Sequence, residues 1–386
     1  MKKQILTGIL ISTLSFLGCE NMNQPAAVDL DEQNLNIVDP ETGLTEAQMR
    51  KAVDKVIAEY RAKTEAYRAK HAKLHRARSG ETARIQGDKI TVPDDYSTIQ
   101  AAVNNASPGD KIKVKAGTYF ENVFIATDDL ELTAEGLVKI DGKVEFSGVT
   151  GGVLENFIVI PYTTAPADGG VAVVNSSEVE LRDNDIKGFL NIIGGSNTAA
   201  GITLLNSTDC LVKGNNSSDH LDFPARPHGI FMEDSHDNEI DENTFNNNYR
   251  AGIRTRNTDD NEFSGNTCTG NGNAGIFLSH DSDGNELKDN NCSDNIKLVT
   301  SPESGTGIFL NKRCDDNTIG SDNITNNNAG DGIRLSPGSG GGAGPSNDNT
   351  VKKNTSLGNG GVDLFDAPAN SGNEFKKNDF STSSGI

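Results

Sequence analysis

The chain has 386 residues, with 55 Asp and Glu against 35 Lys and Arg, and a formal net charge of −20. So acidic a protein is excluded from general nucleic-acid binding, which needs a basic surface. Five Cys in this length do not make a disulfide scaffold, and after the first twenty residues no apolar run approaches the roughly 18 residues that span a bilayer.

The chain starts with the basic residues Lys2 and Lys3, followed by a mostly apolar stretch from Ile5 to Leu17. That is the layout of an export signal. It ends Phe16-Leu17-Gly18-Cys19, which resembles a bacterial lipobox, although Phe16 stands where Leu is more usual. The resemblance implies cleavage after residue 18, acylation of Cys19 and anchoring to a membrane through that lipid. The alternative is an ordinary secretory signal cleaved nearby, and either route exports the protein.

Residues 19–43 are polar, lack periodicity and read as a tether. Thr45 and Gln48 then have capping-box spacing, and Gly80 stands where the run stops. Between them Met49, Val53, Val56, Tyr60, Lys63, Tyr67, Lys70 and Leu74 step by fours and threes. The pattern predicts one long charged α-helix with a narrow seam, within a basic segment 44–85. This segment holds eleven Lys/Arg and five Asp/Glu, a net of +6. His71 and His75 lie four apart on it, a spacing that suits a shared metal or simply a solvated basic face.

From residue 86 the texture changes to short β-branched stretches separated by Asn, Asp, Gly and Ser. A Gly-Ile pair recurs at Gly201, Gly229, Gly252, Gly275, Gly307 and Gly332, with Gly361-Val362 as a seventh copy. A second unit, Asn-x-apolar-x-x-Asn, follows each, as in Asn238, Ile240, Asn243 and in Asn261, Phe263, Asn266. Repeats this short cannot bury an apolar face alone. Stacked at the strand spacing, each coil pairs with the ones above and below. Asn tolerates left-handed backbone at corners and can hydrogen-bond its counterpart in the next coil. The prediction is an all-β solenoid of about ten coils.

The segment ITVPDDYSTIQAAVNNASPGDKIKVKAGTYFENVFI resembles the opening of right-handed parallel β-helices of the pectate-lyase-like superfamily. Units such as GIFMEDSHDNEIDENTFNNN resemble the repeats of NosD-type and related carbohydrate-binding and sugar-hydrolase β-helices. The likeness runs from about residue 88 to 380. It implies a single-stranded right-handed parallel β-helix, Thr98–Asn105 as a short helix plugging the first coil, and a polysaccharide partner. It is specific for fold and not for function.

Alternation places the second and fourth residues after each repeat Gly on the outer surface. The first outer column reads Thr203, Phe231, Arg254, Phe277, Phe309, Arg334, Asp363, and the second Leu205, Glu233, Arg256, Ser279, Asn311, Ser336, Phe365. Flat aromatic rings stack on sugars and Arg pairs with carboxylates. The connections into the Gly-Ile strand are long at 187–200, 216–228 and 295–306 and short before Gly252 and Gly275, which predicts walls around a floor. The 216–228 wall brings His220, Asp222, Arg226 and His228, and the corner before Gly252 brings Tyr249 and Arg250.

The substrate-binding candidates are Phe231, Glu233, Phe277, Phe309, Arg226 and Arg250. The catalytic candidates are Arg254, Arg256, His228, His280 and Tyr249, suited to uronate lyase or epimerase chemistry, which needs a cation beside the carboxylate and a base for the C5 proton. No complete signature of either reaction is present. Acidic turns would also suit Ca²⁺, without a defined ligand spacing.

Three duller assignments stand beside these. In them Arg254 and Arg256 balance carboxylates such as Asp259 and Asp260, the Phe column is covered by the 44–80 helix, and the whole serves as a NosD-like scaffold of the cell envelope. Met and His are too scattered for copper handling. Cys268 and Cys292 fall at one position of successive coils, as a thiol stack or a bridge. A monomer is expected. Residues 86–386 hold 22 Lys/Arg and 44 Asp/Glu, a net of −22, so an anionic glycan would depend on a local Arg strip or a bridging cation.

Overall fold

The computed structural model describes residues 87–161, 169–190, 198–221, 225–298, 304–338 and 343–386. The signal and Cys19, the tether, the 44–80 helix with its histidines, Asp222, and the tips of three expanded loops lie outside the described residues. From Gln86 to Ile386 the chain is one compact unit.

Every strand pairing between neighbouring coils is parallel and follows the repeat. The Gly-Ile strands form one face, an 11-stranded sheet running from Val123–Ile125 to Ser383–Ser384. A second face carries the Asn-x-apolar strands, Leu211–Lys213, Glu239–Asp241, Glu262–Ser264 and Glu286–Lys288 among them. The long strand Glu131–Asp141 bends between two faces, since its first part pairs with Val153–Glu155 and its last with Ile158–Ile160. The third face narrows to single bridges at Thr244, Thr267, Asn291 and Ile324. The helix α1 (Ile99–Asn105) lies against the first coils, capped by the Thr98 hydroxyl and burying Ile99, Ala102 and Val103. The short helix implied by the resemblance is therefore present.

Inside, like stacks on like. Ile202, Ile230, Ile253, Ile276, Ile308 and Ile333 form one fully buried column. Val212, Ile240, Phe263, Leu287, Ile319 and Val351 form another. Each such side chain contributes about 1.5–3 kcal/mol by leaving water. In this register the seventh Gly-Ile copy is not Gly361-Val362. Leu364 pairs with Ile333 and Phe365 with Arg334, so Phe365 joins the first outer column, while Asp363 lies opposite Gly332.

The corners are held by asparagine ladders. In one, Asn184, Asn215, Asn243, Asn266, Asn290 and Asn323 each pass Nδ2 and, in all but the last, the backbone N–H to Oδ1 of the next coil's side chain at 2.9–3.1 Å. Asn238, Asn261, Asn285, Asn317 and Asn349 form a second, and Asn248, Asn271, Asn295 and Asn328 a third. The two properties expected of one Asn fall on neighbouring residues. The left-handed backbone belongs to the residue just before each ladder Asn: Asp183, Gly214, Glu242, Gly265, Asp289 and Asp322 in the first ladder. That position accepts Asp, Glu, Gly, Lys or Asn, and the ladder Asn itself is kept for its amide.

Another corner carries a ladder with charge. Nδ1 of His236 accepts the Asp259 N–H at 3.0 Å, Asp259 accepts that of Asp283 at 3.0 Å, and Asp283 accepts that of Asp315 at 2.8 Å. Burial above all, with help from the Asp259 and Asp315 charges, pushes Asp283 up to about 6, against the Asp315 N–H bond that favours its ionised form. The native state therefore holds this proton more tightly than the unfolded chain. Its contribution to stability is fully present below the ordinary carboxyl value of 3.8 and is lost as pH rises through about 6. Asp283→Asn keeps the acceptor, as Asn347 does two coils along. The variant is expected to lose this pH dependence and to gain about 1 kcal/mol at neutral pH, solvent screening allowed for. Denaturant midpoints of both proteins across pH 4–8 check it.

Candidate functional site

The outer column of the Gly-Ile face runs Thr203, Phe231, Arg254, Phe277, Phe309, Arg334, Phe365 in unbroken register. It is laid down by the alternation that sends Ile253 and Thr255 inward and Arg254 outward. Arg254 lies over the Phe277 ring at 4.0 Å, and Phe277 stacks on Phe309 with centroids 4.6 Å apart. Arg334 lies over Phe365 at 3.9 Å, and Arg256 reaches over Phe231 at 5.7 Å. The cations and rings satisfy one another along the solenoid axis.

Exposure is where expectation and structure differ. Phe231, Phe277 and Phe309 are buried, and Arg254 is 7% exposed. Only the Arg334–Phe365 end is half-buried. Phe277 and Phe309 pack with Ala251 and Ala274 as an apolar cluster separate from the interior core. Side chains chosen as an open sugar platform are thus largely enclosed.

The charges divide into paired and unpaired. Arg256 donates to Glu233 at 2.9 Å, and Arg334 to Asp331 at 2.6 Å. Burial pushes Glu233 up, while Arg256 pulls the other way. Balancing of Arg256 therefore comes from Glu233, and not from Asp259 or Asp260. Arg254 forms no hydrogen bond or ion pair with another described residue, and its Nε is buried without a partner. Burial, and then the charges of Arg256 and Arg250, hold it well below the usual arginine range. Arg250 is equally bare and 9% exposed, and burial with Arg226 nearby lowers it to about 10.

None of the proton-transfer candidates hydrogen-bonds Arg254, although the Arg254 and Arg256 charges act on His280. His228 is buried, its Nδ1 accepts the Ala251 N–H at 3.1 Å, and it stacks on Phe231 at 6.1 Å. His280 sits at the corner beyond the strand, where Nε2 faces Lys312 Nζ at 3.2 Å and Nδ1 faces Ser279. Burial and then Lys312 lower it to about 3, so it is neutral at physiological pH. Tyr249 and Arg226 lie at the corner leading into the neighbouring strands, Tyr249 donating its N–H to the His220 carbonyl. His220 is no wall residue. It is buried, 3.0 Å from the Ser217 hydroxyl, and burial lowers it to about 4. The expanded connections do share one corner, between the third face and the Gly-Ile face.

Among the described residues, no group of three or more His, Cys, Asp or Glu is arranged to hold a metal ion. Cys210, Cys268, Cys292 and Cys314 are buried free thiols. Sequence reasoning missed the bareness of Arg254 and Arg250. The only signal for it was a strand bearing Arg250, Arg254 and Arg256 with no carboxylate.

A search of curated proteins finds no match. The family model described as right handed beta helix region matches residues 169–342. Among solved structures, the chain is similar to Geobacillus virus E2 ORF18, at 16% identity and a TM-score of 0.50, covering 77% of this chain and 61% of that one. It is also similar to the periplasmic alginate epimerase AlgG (15% identity, TM-score 0.46, 75% of this chain and 83% of that one) and to pectate lyase Pel9A (13%, 0.46, 78% of each). At these identities the likeness is one of fold. Parallel register on three faces and the matched region agree: from residue 87 onward the chain folds as a right-handed parallel β-helix.

Proposed function

We propose that the Gly-Ile face binds an acidic polysaccharide, and that the protein acts first as a binding module. The observation that supports this most is the aromatic and guanidinium column from Phe231 to Phe365. Its rungs repeat at the strand spacing of about 4.8 Å, close to the length of one sugar unit. A chain lying along the solenoid would meet the column at its half-buried Arg334–Phe365 end, the rungs from Phe231 to Phe309 being buried. Uronate lyase or epimerase chemistry has less support, because His228 and His280 are engaged with the Ala251 N–H, Ser279 and Lys312, and neither hydrogen-bonds Arg254. The export signal and acylation of Cys19 belong to the same reading, with the module held at a membrane.

The test is retention of the soluble mature protein on a panel of immobilised acidic and neutral glycans, with ultraviolet detection of unsaturated products. Retention without product is expected, and Phe365→Ala should weaken it about tenfold by removing the entry ring. Product formation would make the protein an enzyme. Neither retention nor product across the panel would leave the scaffold alternative.

A further inference from the structure

Arg250 and Arg254 belong to one strand and its entry corner, and both are at least nine-tenths buried. Neither side chain makes a hydrogen bond or ion pair with a described residue, and the Nε of each is shut off from water. A guanidinium does not give up its proton in a protein. The Phe277 face beneath Arg254 returns only part of what burying an unpaired ion costs. Hydrophobic packing alone would favour Met or Leu at both places.

The surroundings say how much charge is missing. Arg226, Arg250, Arg254 and Arg256 carry four positive charges that act on one another, and the carboxylates among them, Glu233 and Asp234, return two, for a local net of 4 − 2 = +2. That excess stands on a solenoid whose residues 86–386 total −22. A polyanion of uniform charge meets repulsion from such a body wherever it leaves the arginines. A mostly neutral chain with one concentrated charge does not. Arg256, a third exposed, marks the side open to solvent.

The geometry points to a binding site for a doubly charged phosphate group at the Arg250–Arg254 pair, carried as a phosphate monoester on a glycan, in preference to the single carboxylate of a uronate. The assignment of a glycan as carrier rests on the function proposed above. The phosphate site itself rests only on the two arginines. Their planar forks match tetrahedral oxyanions, and a dianion meets the local excess where a carboxylate meets half of it.

Calorimetry on the full mature protein, at about pH 7.5 where a phosphate monoester is close to doubly charged, would compare inorganic phosphate, glucose 6-phosphate, glucuronate and acetate at matched ionic strength. Both phosphates should bind at least about tenfold more tightly than the two carboxylates. Arg254→Gln and Arg250→Gln should each lose that binding. In phosphate-free buffer Arg254→Gln should also melt about 2 °C or more above the parent, since an unpaired buried charge has gone, and should no longer respond to phosphate. An arginine with a merely structural role would lower the melting point when replaced.

Glucuronate binding as tightly as glucose 6-phosphate would overturn the proposal and leave the acidic-glycan reading standing. Inorganic phosphate bound without the sugar phosphate would assign the site to the free ion and overturn the ester. Phosphates bound by a protein that no glycan retains would uphold the site and remove the polysaccharide reading.

Discussion

Asn266→Ala is expected to cost about 3–5 kcal/mol, because one amide here serves four hydrogen bonds in a dry interior. Its Nδ2 donates to the Ile240 carbonyl at 2.7 Å and to Asn290 Oδ1 at 3.0 Å, and its Oδ1 accepts the N–H and Nδ2 of Asn243 at 3.0 and 3.1 Å. Alanine leaves all four partners short, with no water to replace it. In a solenoid each coil is supported only by its neighbours, so a lesion in the middle should also divide the unfolding. Guanidinium denaturation followed by two probes would read both effects, as a lower midpoint and a second transition. Asn373→Ala, near the last coil and partly exposed, is the milder comparison. A loss below about 1 kcal/mol for Asn266→Ala would mean that the ladder is ornamental.

Gly275→Ala should be at least as damaging, about 3 kcal/mol or more, by overpacking against backbone that cannot move. A Cβ at Gly275 would lie 2.7 Å from the Cys292 Cβ and from the Gly307 carbonyl oxygen, and 2.9 Å from the Cys268 carbonyl oxygen. This is why glycine opens the repeat. The strand starts where the turn wraps closely over the corner of its own and the next coil, and the space is filled by the chain itself. Gly252 and Gly307 meet the same obstruction, with the next coil's carbonyl at 2.9 and 2.6 Å. Gly320→Ala is the control, since its nearest neighbour would be at an ordinary 3.4 Å. Thermal melts of the two variants should separate clearly. Equal melting points would refute the steric account.

The coils and ladders were legible because their causes are local and repeated. Gly before Ile, and Asn two residues before an apolar one, say which residue turns in, and the copies set the register from Ile202 to Ile333. The last copy was misplaced for a definite reason. Val362 and Leu364 are two residues apart, and an alternating pattern looks the same after a shift of two. Only pairing with Ile333 decides for Leu364 and moves Phe365 beside Arg334. The site was half legible. Which residues leave the core follows from alternation, so Phe231, Arg254, Phe277 and Phe309 were placed on the right face. Whether they meet solvent is not written in the strand, because alternation says only that a side chain leaves the core. His220 misled for a related reason. Its loop was read by length, while its side chain turns inward to Ser217.

The ladders have a direction. Each rung gives its donors to the oxygen of the coil that follows, so a finished coil stays unsatisfied until the next one closes over it. Assembly from the N-terminal end therefore always has a hungry leading edge, which accepts one coil of the right register and rejects a slipped one. A ladder of this kind can be closed by a group that accepts without offering. In the third ladder Asp363 does this, taking the N–H and Nδ2 of Asn359 where the next asparagine would stand, together with the backbone N–H groups of Ser381 and Thr382. A carboxylate in place of an amide closes this one ladder, while the other two run on to Asn373 and Asn378.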